Sequence, residues 1–124
     1  MREINAEQGR IKISMKALLL GDDLCVVISG GDRPHIGAVT MSTPRASLSG
    51  SGSSASTSVI TMPGHKDDES ARMVSHSLSS RLYKNVVVTC GIHVDDITAE
   101  EINSTTIMLK ELTEALINEL AKKR

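Results

Sequence analysis

Three of the four histidines in this 124-residue chain lie beside glycine at the ends of apolar runs. They are His35 in Pro34-His35-Ile36-Gly37, His65 in Pro63-Gly64-His65-Lys66, and His93 in Gly91-Ile92-His93-Val94-Asp95. An imidazole changes charge near neutral pH and can donate or accept a hydrogen bond at a ring nitrogen. Loops at strand ends are where binding groups usually gather. Taken singly, each histidine is better explained as a strand-end residue with a local hydrogen bond. Taken together, the repeated context brings a ligand site level with that reading. His76, between Ser75 and Ser77 in a helical pattern, is expected to face solvent.

The stretch Pro63-Gly64-His65-Lys66-Asp67 ends a strand pattern and begins a helical one. A helix start offers unpaired N–H groups and partial positive charge, and Lys66 adds a full charge, so a phosphate or carboxylate could be held there. A plain strand-to-helix turn with a solvated lysine explains the same residues equally well. In an extended segment His93 and Asp95 point to one side. They could bind a polar ligand edge together, Asp95 could orient the imidazole, or both could join His35 or His65 around a metal. No spacing demands a metal, since there is neither a cysteine pair nor an H-E-x-x-H pattern. Arg33 reads as an anion contact or a solvated charge, and Gly37 as a bulge or a close backbone approach. No G-x-S-x-G elbow and no G-x-x-x-x-G-K-[ST] loop is present, so no catalytic set is assigned.

The elements that must position these residues follow from periodicity. Residues 9–20 alternate as a strand, Gly21-Asp22-Asp23 is a turn, and Leu24 to Ser29 is a second strand. A third strand is expected over His35 to Met41 and a fourth over Thr57 to Met62. Residues 42–56, rich in serine with Gly50 and Gly52, read as a flexible loop, either a linker or a lid over a ligand. Asp67 to Lys84 has a helical stripe of Ala71, Val74, Leu78 and Leu82. Val86 to Cys90 is a continuous apolar strand. Thr98 and Glu101 have capping-box spacing, and a helix from about 99 to 122 buries Ile102, Thr105, Leu109, Leu112, Leu116 and Leu120. The expected fold is α+β: one domain over residues 1–124, with a mostly antiparallel sheet of about five strands and two helices on one face. The other face then needs cover from the serine-rich segment or a second subunit.

Composition narrows the function. The formal net charge is −1 and the only aromatic residue is Tyr83. Neither the charge nor the stacking surface of a nucleic-acid reader is present, and no stretch has the apolar length of a signal peptide or membrane span. Cys25 and Cys90 lie within apolar runs and read as small buried hydrophobes in a reducing compartment. A cytoplasmic protein is expected.

The segments Gly30-Gly31-Asp32-Arg33-Pro34-His35-Ile36-Gly37-Ala38-Val39, Pro63-Gly64-His65-Lys66-Asp67 and Gly91-Ile92-His93-Val94-Asp95, in that order, resemble the prenylated-flavin chaperone-like (LpdD-like) family. Its members are associated with UbiD-type decarboxylases, and its fold is similar to that of proteasome-assembly chaperones. The resemblance spans about residues 9 to 120. It implies a non-enzymatic accessory protein that binds prenylated FMN or FMN, protects it or delivers it to the decarboxylase, and forms a homodimer. The implied cofactor-binding residues are Arg33, His35, Gly37, Gly64, His65, Lys66, His93 and Asp95, with no metal. The residues are compatible with this. Gly64 to Lys66 offers a phosphate site, His35, His93 and Asp95 suit a polar ring edge, and the apolar face must be aliphatic or methionine. Two other readings stay open: an assembly module without a small-molecule site, and a small metal-dependent hydrolase or decarboxylase using His35, His65, His93 and Asp95.

Overall fold

The computed structural model describes residues 1–62 and 67–122. Its elements run β1 (Arg2–Gln8), β2 (Ile11–Leu20), β3 (Asp23–Gly31), β4 (Ala38–Ala46), β5 (Ser53–Thr61), α1 (Asp67–Leu82), β6 (Val86–His93) and α2 (Ala99–Ala121). One six-stranded sheet has the order β1-β2-β3-β6-β4-β5. Only β3 and β6 pair in parallel; every other neighbour is antiparallel. The α+β class and the antiparallel bias agree with expectation, with one strand more than counted. β1 has only Ile4 and Ala6 on its inner face, too few apolar positions to stand out among Glu3, Asn5 and Glu7.

Both helices lie on one face of the sheet. α1 packs over β4, β5 and β6, and α2 over β1 and β2, with the helices touching each other. The core is the row-by-row match of inner-face aliphatics, such as Met15 beside Ile28, Ile28 beside Cys90, and Cys90 beside Ala38. The α1 stripe of Ala71, Val74, Leu78 and Leu82 is buried as expected. So are Thr105, Leu109, Leu112, Leu116 and Leu120 of α2, but Ile102 is 54% exposed and does not belong to that stripe. Both arms of the Thr98–Glu101 capping box form, at 3.1 Å each. His76 is exposed.

Two strand assignments shift. His35 to Gly37 precede β4, which starts at Ala38 and continues through Pro44 to Ala46. Pro44 is tolerated because pairing with β6 ends at Ser42, leaving that stretch of β4 an edge. The serine-rich segment is therefore mostly a β4–β5 hairpin, with only residues 47–52 outside the strands. Its inner-face hydroxyls are used rather than solvated. Ser42 Oγ donates to Ser75 Oγ at 2.8 Å and lies 2.6 Å from Thr57 Oγ1, and Thr40 Oγ1 donates to Ser75 Oγ at 2.9 Å. This buried chain fixes α1 on β4. The hairpin extends the sheet and does not cover its second face. On that face Leu18, Cys25, Val87 and Met41 form one row across four strands, with Leu18 46% and Met41 48% exposed. Among the described residues, no helix is long and apolar enough to cross a membrane.

Candidate functional site

The ends of β3 and β6, the start of α1 and the start of α2 meet at one edge of the sheet. The chain leaving β3 crosses over the end of β6 to reach β4. Gly37 N–H donates to Cys90 O at 3.1 Å, and Asp32 N–H donates to His93 O at 2.6 Å. The crossing is too close for side chains. A Cβ on Gly91 would sit 1.6 Å from His35 O, and one on Gly31 would sit 2.1 Å from His93 O. Gly31 also has φ +76°, which favours glycine. Glycine neighbours the histidines for this reason: it lets the loop that carries Arg33 and His35 lie directly on β6.

This contact brings Arg33, His93 and Asp95 together. His93 Nε2 lies 2.9 Å from Arg33 Nη2 and 2.9 Å from Asp95 Oδ1, and Arg33 Nη2 lies 3.4 Å from Asp95 Oδ1. A single proton decides the arrangement. With Nε2 bare, the ring accepts from Arg33. With Nε2 protonated, it donates to Asp95. The hydrogen bond to His93 and the charge of Arg33 together hold the Asp95 carboxyl below its usual range. His93 and Asp95 share a side, as the extended spacing requires. These groups are largely exposed, so their pairing adds little stability and leaves them open to a ligand.

His35 lies behind them, its ring centroid 6.5 Å from that of His93 in an edge-on arrangement. Its Nδ1 donates to Arg33 O at 3.0 Å, and Nε2 faces Asp67 Oδ2 at 3.3 Å. That second contact is attractive only with a proton between the two atoms. Asp67, the first residue of α1, is 9% exposed, and its Oδ1 accepts Ile92 N–H at 3.2 Å. A Cβ on Gly37 would meet Asp67 Oδ2 at 2.0 Å, so Gly37 is required by a close approach and not by a bulge. Asp67 joins α1, β6 and the His35 loop. In the sequence it marks only the start of a helical stretch, with no local sign of this role. Two more residues escaped sequence reading. Asp32 Oδ2 accepts Asp95 N–H at 2.8 Å, and Arg10 Nη2 donates to Asp95 O at 2.8 Å while its guanidinium forks onto Glu101. Both hold the Asp95 loop.

Gly64, His65 and Lys66 lie outside the described residues, so the phosphate site expected there is not placed by the structure. Of the eight expected binding residues, Arg33, His35, Gly37, His93 and Asp95 are brought to one place. Beside them is a cavity of about 480 Å³ between α1, β6 and α2. His93 and Asp67 stand on its wall with Met73, Ile92, Ile97 and Ile102. Among the described residues, no three His, Cys, Asp or Glu side chains converge in a way that could hold a metal ion.

The chain was compared with known proteins. A solved chain from a novel chaperone complex for yeast 20S proteasome assembly superposes with a TM-score of 0.61 over 96% of this chain and 97% of that one, at 17% identity, a likeness of fold alone. Protein LpdD of Lactiplantibacillus plantarum is 27% identical over 123 residues, covering 95% of this chain and 84% of its own length. The sequence model of the prenylated flavin chaperone LpdD-like domain matches residues 7–121. Carrying that domain over nearly its whole length, the chain belongs to the LpdD-like chaperone family.

Proposed function

We propose that this protein is a carrier for prenylated flavin mononucleotide that protects the cofactor or delivers it to a UbiD-type decarboxylase. The observation that carries this reading is the Arg33–His93–Asp95 cluster beside the cavity between α1, β6 and α2, on whose largely aliphatic wall His93 stands. A flavin nucleotide has a flat apolar ring, a polar ring edge with donors and acceptors, and a phosphate. The aliphatic and methionine wall suits the ring, and the His93–Asp95 pair suits the ring edge. Arg33 suits an anion, and Lys66 is a second candidate for that role. The cavity volume falls within the usual small-molecule range of about 300–1,000 Å³. The absence of an aromatic clamp suits a protein that must release its cargo.

The test is gel filtration after incubation with prenylated flavin mononucleotide. Flavin absorbance should co-elute with the protein, and Arg33→Ala and His93→Ala should each reduce it. If no flavin co-elutes and the melting temperature does not move, the carrier reading fails.

The uncovered sheet face supports a homodimer as the working form. Leu18, Met41 and Val27, with Ile60 at 76% exposure, make an apolar patch across β2, β3, β4 and β5 that a second copy could cover. Sedimentation should give a dimer, and Met41→Glu a monomer.

A further inference from the structure

We propose a second binding site, on the sheet face opposite the helices, for a phosphate ester of a sugar or polyol. It is the cavity of about 420 Å³ at Gly30 and Gly31, whose lining includes Asn5, Lys12, Ser14 and Ser29. The site stands apart from the carrier reading, because it uses other residues on another face of the sheet.

Strand register builds this cavity. Asn5 pairs with Ser14, Ser14 with Ser29, and Ser29 with Gly91, so an amide, two hydroxyls and a bare backbone lie in one row across four strands. The row lies beside the apolar patch of Leu18, Val27 and Met41, nearer the loop that crosses β6. Two residues further along each strand, Glu7 pairs with Lys12 and Gly31 with His93. The glycines leave the floor without side chains, and Pro34 of the crossing loop stands on the wall. Backbone crowding explains the glycines, since a Cβ on Gly30 would meet Lys12 O at 2.4 Å. It does not explain the polar row. Interior strand positions favour β-branched and aromatic residues, and asparagine is disfavoured there. The open space over Ser14 and Ser29 would admit valine or threonine, which would gain cross-strand packing. Small hydroxyls in their place are a local conflict between sequence and fold, of the kind that marks functional positions.

The row selects the chemistry of the ligand. Neighbouring strands set its groups about 4.8 Å apart. Each hydroxyl, and the amide, can both donate and accept a hydrogen bond. A sugar or polyol presents successive hydroxyls that match such a row, and an apolar ligand does not. Charge comes from Lys12. Its side chain is 79% exposed and its Nζ lies 3.9 Å from Glu7 Oε1, a loose pair that holds it weakly. Ser14 Oγ is held no better, donating to Glu3 Oε2 at 3.4 Å. A phosphate monoester carries about −1.5 to −2 charge at neutral pH, more than the single carboxylate it must displace. On this assignment Lys12 takes the phosphate, Ser14, Ser29 and Asn5 take the hydroxyls, and Glu7 competes with the ligand.

The experiment titrates the isotope-labelled full-length protein with ribose 5-phosphate and follows its amide chemical shifts. The amides of Ser14, Ser29, Gly30 and Gly31 should move, and ribose or inorganic phosphate alone should bind more weakly. Lys12→Gln should weaken binding about tenfold, and Glu7→Gln should tighten it about threefold. Ser29→Val should abolish binding while the melting temperature stays at or above that of the parent, which separates a lost site from a lost fold. Flavin mononucleotide and riboflavin form a second arm. If the nucleotide moves the same amides and riboflavin does not, the occupant is a phosphorylated ribityl tail. If neither moves them while ribose 5-phosphate does, it is a free sugar phosphate. Amides unmoved by both ribose 5-phosphate and flavin mononucleotide, or binding that survives both Lys12→Gln and Ser29→Val, would overturn the site, whether or not a flavin binds at His93.

Discussion

Gly91 makes the site possible, and Gly91→Ala tests whether the loop over β6 is held as described. The φ of Gly91 is not in the left-handed region. By backbone preference alone an alanine there should therefore stabilise the protein by about 0.4–1 kcal/mol. The structure predicts the opposite sign. The new Cβ would lie 1.6 Å from His35 O and 3.2 Å from Gly37 N, whereas ordinary contact begins near 3.4 Å. The crossing loop must therefore lift by close to 2 Å. Overpacking of this kind costs roughly 1–3 kcal/mol. Lifting the loop also breaks the Gly37 N–H to Cys90 O bond, and leaving a buried partner unsatisfied adds about 1–3 kcal/mol. A net loss of about 2–5 kcal/mol corresponds to a melting temperature lower by roughly 8–20 °C in a domain of this size. Far-UV circular dichroism reads this directly, with parent and variant held at the same protein concentration. Gly50→Ala is the control, since its φ is +86° but nothing lies within 4 Å of its Cβ. It should lose only about 1 kcal/mol. A Gly91→Ala protein as stable as the parent, or more so, would refute the close crossing and with it the placement of His35 against Asp67.

Three further outcomes follow from the site's surroundings. Burial, reinforced by the negative charge of Asp67, pushes the Cys90 thiol up to about 12, so Cys90 should stay unmodified by a thiol reagent in the folded protein at pH 8; its early modification, seen by peptide mass spectrometry, would contradict the packing. Asp67→Ala should cost about 1–3 kcal/mol by leaving Ile92 N–H without its acceptor, and Asp67→Asn clearly less, because its amide oxygen can still accept; equal losses in thermal melts would show that this bond is not what Asp67 contributes. The hydrogen bond from Arg10, with that from Thr98 N–H, lowers the Glu101 carboxyl from its usual 4.5 to about 2, and a carboxylate depressed in the folded state stabilises above its ordinary range and stops doing so as pH falls through the folded value. The melting temperature should therefore fall between about pH 5 and about pH 2, and Arg10→Gln should flatten that fall; superimposable curves would dissociate the Arg10–Glu101 pair from acid stability.

Regular elements were legible where one face of an element is apolar at a clean period. The α1 stripe from Ala71 to Leu82 and the α2 stripe from Thr105 to Leu120 needed only helical spacing. β1 was not legible, because two inner residues are not a pattern. The β4–β5 hairpin was hidden for a different reason. Ser42, Thr57 and Ser75 fill their interface with hydroxyls, so a segment that looks solvated by composition is held by a buried hydrogen-bond chain that appears only when α1 is placed on the sheet. The same limit applies at the site. Arg33, His35, His93 and Asp95 stand out by residue type and by their glycine neighbours. Asp67, Asp32 and Arg10 are ordinary charged residues in sequence, and their roles come from contacts 25 to 85 positions away.

The location of the site follows from the topology. β3 and β6 run parallel side by side, so both end at the same edge of the sheet. β4 lies on the far side of β6 and runs antiparallel to it, so the chain from β3 must cross the end of β6 to begin β4. β5 is antiparallel to β4 and also finishes at that edge, where α1 begins with Asp67. β6 then leaves the same edge for α2. Three chain passages, β3 to β4, β5 to α1 and β6 to α2, therefore share one end of the sheet, and two of them cross at van der Waals distance. That crossing requires glycine at 31 and 91, collects the polar side chains of the loops, and lies beside a cavity between the starts of two helices. The glycines near His35 and His93 are thus a consequence of strand order, and a ligand that used His93 and Arg33 would use the edge where this topology crowds the backbone.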